Sequence, residues 1–378
     1  MIFSAADDSA EPRATPLYAA AAGLCATNVW TSVNGWAVAR SYSDIVEEYE
    51  AASKDVALVD LGPLCRYTVR GAEAANFVAR LTSCPTTEIA VAESARGLIV
   101  NADGLVVDCA DATRLSNDLF LLTTSTAVDR RLQIAARGFD VEISNVAGQV
   151  GALGLFGPKA RDAAAAAGVD ILAAEATAQG RVRGVELAVR PVAIGALAGI
   201  EVIFPAEDAL VIWERVRRKK PLPAVGLDAM DILRIEGGAP RTGVDFVSAD
   251  DARTSHEARS PDEIGLPHLA PPNRGWFNGR RAMKNAGRAR RRLVLLSLDC
   301  DTAPVGAAIR TRAGTVGAIT SAVFSPKLKR VLCFADIDAA APVSELEAVI
   351  GPDGGRTPAR LWENFEGRQA SAFRENLR

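Results

Sequence analysis

Histidine is almost missing from this chain: His256 and His268 are the two in 378 residues. Neither stands beside a nucleophile motif, which argues against a Ser-His-Asp centre and against a multi-histidine metal site. The six cysteines (Cys25, Cys65, Cys84, Cys109, Cys300, Cys333) show no Cys-x-x-Cys spacing. That argues against a zinc site, a redox motif or a disulfide framework, and predicts reduced, packed thiols in a cytoplasmic protein. Long apolar runs are missing as well. The Ala-rich stretch Leu17–Ala26 is too short for a membrane span, and the acidic N-terminus lacks the basic flank of a signal peptide. Nor is there an excess of either charge: 43 basic and 46 acidic residues leave −3, with a pI near 5.7. Neither nucleic acid nor a membrane is expected as a partner, and the one basic run, Arg280–Arg292, reads as a solvated linker.

What is present is ordinary globular material, 49% hydrophobic and 24% charged, long enough for two or three domains. Asp44–Lys54 has helical spacing, with Ile45, Tyr49 and Ala52 on one side. Short apolar strands and helices then alternate as far as Gly238. Pro240–Gly275 is polar and aperiodic, a long irregular segment of the kind that carries function or a lid. From Leu293 onward, short strands between Gly and Pro turns predict a small barrel or sandwich. The fold class is α+β with a β-rich C-terminal domain.

One stretch carries a chemical suggestion. Asn101-Ala-Asp-Gly-Leu-Val-Val-Asp108 is turn chemistry followed by an apolar strand that delivers an acid. A carboxylate inside such a strand is costly unless something satisfies it. Asp108 is therefore either a structural acid with a hidden partner or a working acid in a pocket. Cys109, on the other face of the strand, reads as packing.

The order of segments resembles the glycine cleavage T-protein (aminomethyltransferase) family and its tetrahydrofolate-dependent demethylase relatives. The resemblance runs from about Thr15 to Phe365. It rests on Thr15-Pro-Leu-Tyr18, Val59-Asp-Leu61 with Val69-Arg-Gly71, the Asn101–Asp108 stretch, Gly157-Pro-Lys-Ala160, Asp231-Ile-Leu-Arg-Ile-Glu-Gly-Gly238, and Thr320-Ser321 with Ser325-Pro-Lys-Leu328. It implies a three-domain cloverleaf around a central channel that holds tetrahydrofolate and a small-molecule substrate, with Asp108 near the pterin nitrogen where the one-carbon unit is exchanged. The implied division is a flexible tail at 1–14, then 15–55 with 140–225, then 56–139 with 226–285, and a barrel-like domain at 293–378.

Two departures qualify that picture. The position of the family's pterin-reading glutamate holds Leu197, and the helix arginine is Met230. Each loss removes a charged contact of roughly 1.5–3 kcal/mol. Thr242 stands where a tyrosine is usual, preceded by Arg241, which reads either as a receiver of a carboxylate of a substrate or of a folate tail or, equally, as a solvated surface arginine. Tyr42 lies in a segment that approaches the channel in the family. The sequence thus nominates Asp108 for catalysis and Leu197, Met230, Arg241 and Tyr42 as cofactor-binding positions, with no metal. The leading expectation is a one-carbon transferase or demethylase. The alternative is a folate-independent enzyme on a hydrophobic or aromatic substrate that reuses Asp108, with Leu197 and Met230 lining an apolar pocket.

Overall fold

In this computed structural model residues 11–169, 178–351 and 354–362 are described. Two five-stranded antiparallel sheets and a closed six-stranded barrel organise them. The first sheet runs, in spatial order, Ala178–Val182, Val185–Ile194, Leu197–Pro205, Val150–Phe156 and Ala57–Asp60. The second runs Ser94–Val100, Val106–Ser116, Leu119–Thr124, Cys65–Arg70 and Glu142–Asn145. The barrel is built from Arg291–Leu298, Ala308–Thr311, Gly314–Ser325, Arg330–Asp338, Glu347–Ile350 and Gly355–Leu361. The mixed class and the C-terminal barrel are as the sequence predicts. Closure of the barrel leaves no open strand edge to be managed.

Each sheet buries one face under helices. Phe77, Val78 and Leu81 of helix Ala74–Leu81 and Leu132 of helix Asp129–Ala135 pack into the core of the second sheet with Val69, Val107 and Phe120. Ala164 of helix Ala160–Ala167 and Ile212 and Trp213 of helix Ala209–Arg217 do the same for the first, with Leu153 and Val202. The helix read at Asp44–Lys54 begins at Ile45 because Asp44 is its cap. Its side chain accepts from Val46 N at 2.9 Å and Glu47 N at 3.1 Å.

Several expectations change. Ala57–Asp60, assigned to the second unit, pairs with Val150–Phe156 in the first sheet. Glu142–Asn145, assigned to the first unit, pairs with Cys65–Arg70 in the second. Helix Leu227–Glu236 puts Met230 and Leu233 into a cluster with Tyr49, Val59 and Phe156, on the first sheet's side. All three are decided by long-range pairing, which local pattern does not encode. Residues 1–10 lie outside the described residues, as do 363–378. Arg13, assigned to the tail, is held: its N–H donates to Gly35 O at 2.8 Å and its guanidinium stacks on Trp36. The basic run is not a free linker either. It forms helix Arg280–Lys284 and opens a barrel strand, and Arg280 Nε donates to Pro272 O while Arg291 Nε pairs with Asp336. Among the described residues no helix is long and apolar enough to cross a membrane, and all six cysteines are free.

Candidate functional site

The Asn101 corner forms as read. Asn101 Oδ1 accepts from Asp103 N and Leu105 N, and Gly104 takes the left-handed backbone (φ +78°) that closes the hairpin. The strand beyond it carries Asp108 into the interior, where it is 0% exposed. Four donors surround the carboxylate. Oδ1 accepts from Cys109 N at 2.8 Å and Thr242 Oγ1 at 2.7 Å; Oδ2 accepts from Thr126 N at 2.7 Å and Thr126 Oγ1 at 3.0 Å. Among the described residues no cation pairs with it. Burial pushes its pKa up, and the bonds from Thr242, Thr126 and Cys109 pull against that. The neighbouring thiols are out of reach as nucleophiles. Burial, reinforced by the Asp108 charge, pushes Cys109 up to about 11 and Cys65 to about 12.

Thr242 comes from the irregular segment, which also knots the junction beside it. Asp245 is buried and accepts from Arg234 Nη1 at 2.7 Å, from Arg241 N at 2.8 Å, and from Ser321 Oγ at 2.5 Å and Thr320 Oγ1 at 3.0 Å of the barrel. Asp231 takes Arg234 Nε at 2.6 Å and lies 3.1 Å from Arg241 Nη1. One loop therefore ties the second sheet, through Asp108, to the junction helix and to the barrel. Arg241 is mostly buried; its Nη1 is ion-paired with Asp231, and its Nε has no hydrogen-bond acceptor among the described residues. Burial and the neighbouring Arg234 hold its pKa below the usual arginine range, against the pull of Asp231 and Asp245.

The other nominated residues fall as follows. Met230 is 2% exposed, and Leu197 packs half-buried against the same apolar cluster. Tyr42 belongs to a different core, that of the first sheet, and burial drives its phenol pKa far up. Asp108, Thr242 and Arg241 are thus brought together through one loop, Met230 and Leu197 through one cluster, and Tyr42 through neither.

Sequence reading missed the charge chain between the sheets. Glu201 is fully buried between Arg66 Nη2 at 2.5 Å, from the second sheet, and Arg190 Nε at 2.5 Å, from its own. Arg190 Nη1 continues to Asp111 at 3.5 Å, which takes Arg96 Nε at 3.0 Å. Burial acts to raise the Glu201 pKa, but Arg190 and Arg66 outweigh it and hold it low. A signal was available: folding the strand about Gly195-Ala196 puts Arg190 opposite Glu201, as observed.

Comparison with known proteins agrees with this architecture. The GCVT N-terminal domain family matches residues 23–258, and the glycine cleavage T-protein C-terminal barrel domain family matches 291–364. A probable aminomethyltransferase of Halobacterium salinarum is 28% identical over 325 residues, covering 82% of this chain and 87% of the relative. An aminomethyltransferase of Staphylococcus haemolyticus is 28% identical over 343 residues, covering 87% and 91%. One from Thermotoga maritima is 25% identical over 331, covering 85% and 88%. The crystal structure of glycine cleavage system aminomethyltransferase T from Bartonella henselae superposes with a TM-score of 0.82 at 19% identity, over 94% of this chain and 98% of that one, which is a likeness of fold. With its N-terminal family match covering most of the chain and its barrel match following in order, this protein belongs to the glycine cleavage T-protein family.

Proposed function

We propose that this protein is a one-carbon transferase of the aminomethyltransferase type, in which Asp108 handles the proton of the reacting group. The observation that supports this reading is the carboxylate's shell: complete burial, four neutral donors and, among the described residues, no cation. An acid so held is moved toward the range in which it both takes and returns a proton near neutrality. The Thr126 hydroxyl is its longest donor, at 3.0 Å, and a hydroxyl rotor turns freely. Turning it frees a lone pair on Oδ2. An N–H or O–H of the reacting group then donates there, its proton passes to Oδ2, and it returns to the leaving atom when the one-carbon bond has shifted. Arg241 Nε, buried and without an acceptor among the described residues, suits a substrate carboxylate, while Nη1 stays paired with Asp231.

Tetrahydrofolate is the carrier that the family resemblance implies. Leu197 and Met230 offer neither donor nor acceptor, and Glu201 is committed to Arg66 and Arg190. The residues at these positions do not fit a pterin read by an acid and an arginine. The same observation favours a second reading, a folate-independent enzyme on a hydrophobic or aromatic substrate, since Leu197 and Met230 share one apolar cluster. Titration of the purified protein with tetrahydrofolate, followed by heat or fluorescence, separates the two. Saturation in the micromolar range supports transfer to folate. No saturable binding at high micromolar concentration sinks it and leaves the second.

A further inference from the structure

A cavity of about 650 Å³ opens on the outer side of the second sheet, between helices Ala74–Leu81 and Asp129–Ala135. Phe77, Val128 and Phe139 are among its lining residues. Its rim is arginine: Arg80, Arg130, Arg131 and Arg137. Arg131 is spent on Asp250, which it grips with two nitrogens. Arg80, Arg130 and Arg137 have no carboxylate partner among the described residues, and Asp251 is the one lining acid left to oppose them. Three guanidiniums without a carboxylate partner around one hollow are unexpected on a chain whose net charge is −3. Like charges gathered without partners repel one another, and an anionic ligand relieves that.

A second hollow, of about 370 Å³, adjoins the first and shares Arg80 and Phe139 with it. Trp276 lines this second hollow, 58% exposed, with the Arg80 guanidinium stacked 4.3 Å from its ring centroid. Its open face is a flat surface held in place by Arg80. Planar forks that match phosphate oxygens therefore lie beside a stacking platform for an aromatic ring.

From this juxtaposition we infer that the two hollows form a binding site for a nucleoside phosphate, with the phosphates against Arg130 and Arg137 and the base on the Arg80–Trp276 pair. The larger hollow by itself falls within the ordinary range for small-molecule sites, roughly 300–1,000 Å³, and the two together reach its upper end. The site does not involve Asp108 and does not depend on the function proposed above. A concave hollow beside an exposed aromatic ring favours a small molecule over an acidic protein segment.

Calorimetric titration of the full chain with ADP, pyrophosphate, adenosine and an acidic glutamate peptide tests this. The expectation is saturable ADP binding that weakens as salt is raised. Arg130→Gln with Arg137→Gln should weaken ADP and pyrophosphate at least about tenfold, or about 1.4 kcal/mol. Trp276→Leu should weaken ADP but leave pyrophosphate unchanged. All three side chains are exposed, and an unchanged melting temperature certifies the fold of each variant. No saturable ADP binding up to about 1 mM, equal affinity for ADP and pyrophosphate, insensitivity to the arginine changes, or preference for the peptide would each overturn the proposal.

Discussion

Asp108 is a buried carboxylate satisfied by neutral donors, and its chemistry follows from that. Asp108→Asn preserves shape but removes both the charge and the proton acceptor. Activity in a one-carbon transfer assay should fall by about 10²–10⁴, and survival of activity would remove Asp108 from the mechanism. Thr242→Val deletes one of the bonds that holds its pKa down, so that pKa should rise further. The lower limb of the pH–rate profile should then move to higher pH. The stability sign follows from the direction. A carboxyl whose folded pKa is raised favours the fold at pH below its unfolded pKa, and that contribution is lost as pH climbs through the folded one. Thr242→Val should therefore cost about 1–2 kcal/mol in urea melts at neutral pH and less in acid. Equal loss at both pH values would mean that the hydroxyl only packs.

At the scale of elements, the clearest constraint is where hairpin Val185–Pro205 meets the end of helix Leu227–Glu236. Gly195 is left-handed (φ +58°), and a Cβ there would stand 2.8 Å from Gly237 Cα and 3.1 Å from Leu233 O. Gly237 has ordinary backbone (φ −84°), yet a Cβ there would meet Ala196 N at 2.3 Å. Gly195→Ala suffers from both backbone and contact, Gly237→Ala from contact alone. Both should lower the melting temperature, with losses above about 1 kcal/mol; a neutral Gly237→Ala would mean that the hairpin rides freely on the helix. Elements of this size were largely legible. Apolar periodicity and capping chemistry located Ile45–Lys54 and the Asn101 hairpin within a residue or two. The hairpin Val29–Val33 with Trp36–Ser41 went unread, although Asn34-Gly35 at its turn is the strongest short hairpin signal there is.

At the scale of the whole molecule, two buried ionic knots join what the strands build separately. Glu201 bridges the two sheets through Arg66 and Arg190. Its depressed pKa makes it an acid-sensitive fastening: the stability is present above the ordinary carboxylate range and is lost as pH falls through the lower, folded value. Glu201→Gln leaves Arg66 and Arg190 buried with too little countercharge and should cost about 3–5 kcal/mol. In melts recorded against pH, the variant should also lose part of the acid-dependent step; an unchanged acid profile would assign that step to other carboxylates. The second knot is Asp245, which holds Arg234 and the barrel residues Ser321 and Thr320 at once.

The sequence by itself determined the class, the helices and turns, the barrel, the family and the candidacy of Asp108. The elements rest on local pattern, since periodicity, capping and turn residues act within a few positions of one another, and the family rests on the resemblance of motifs in their order along the chain. Only the tertiary structure decided which sheet Ala57–Asp60 joins, that Thr126 and Thr242 enclose Asp108, that Tyr42 lies in another core from Leu197 and Met230, and that Glu201 is a bridge between sheets. Those outcomes depend on partners many residues away, such as Thr242 for Asp108 and Arg66 for Glu201. Burial then converts a hydrogen bond or an ion pair that would count for little in water into one that sets a pKa or holds two sheets together.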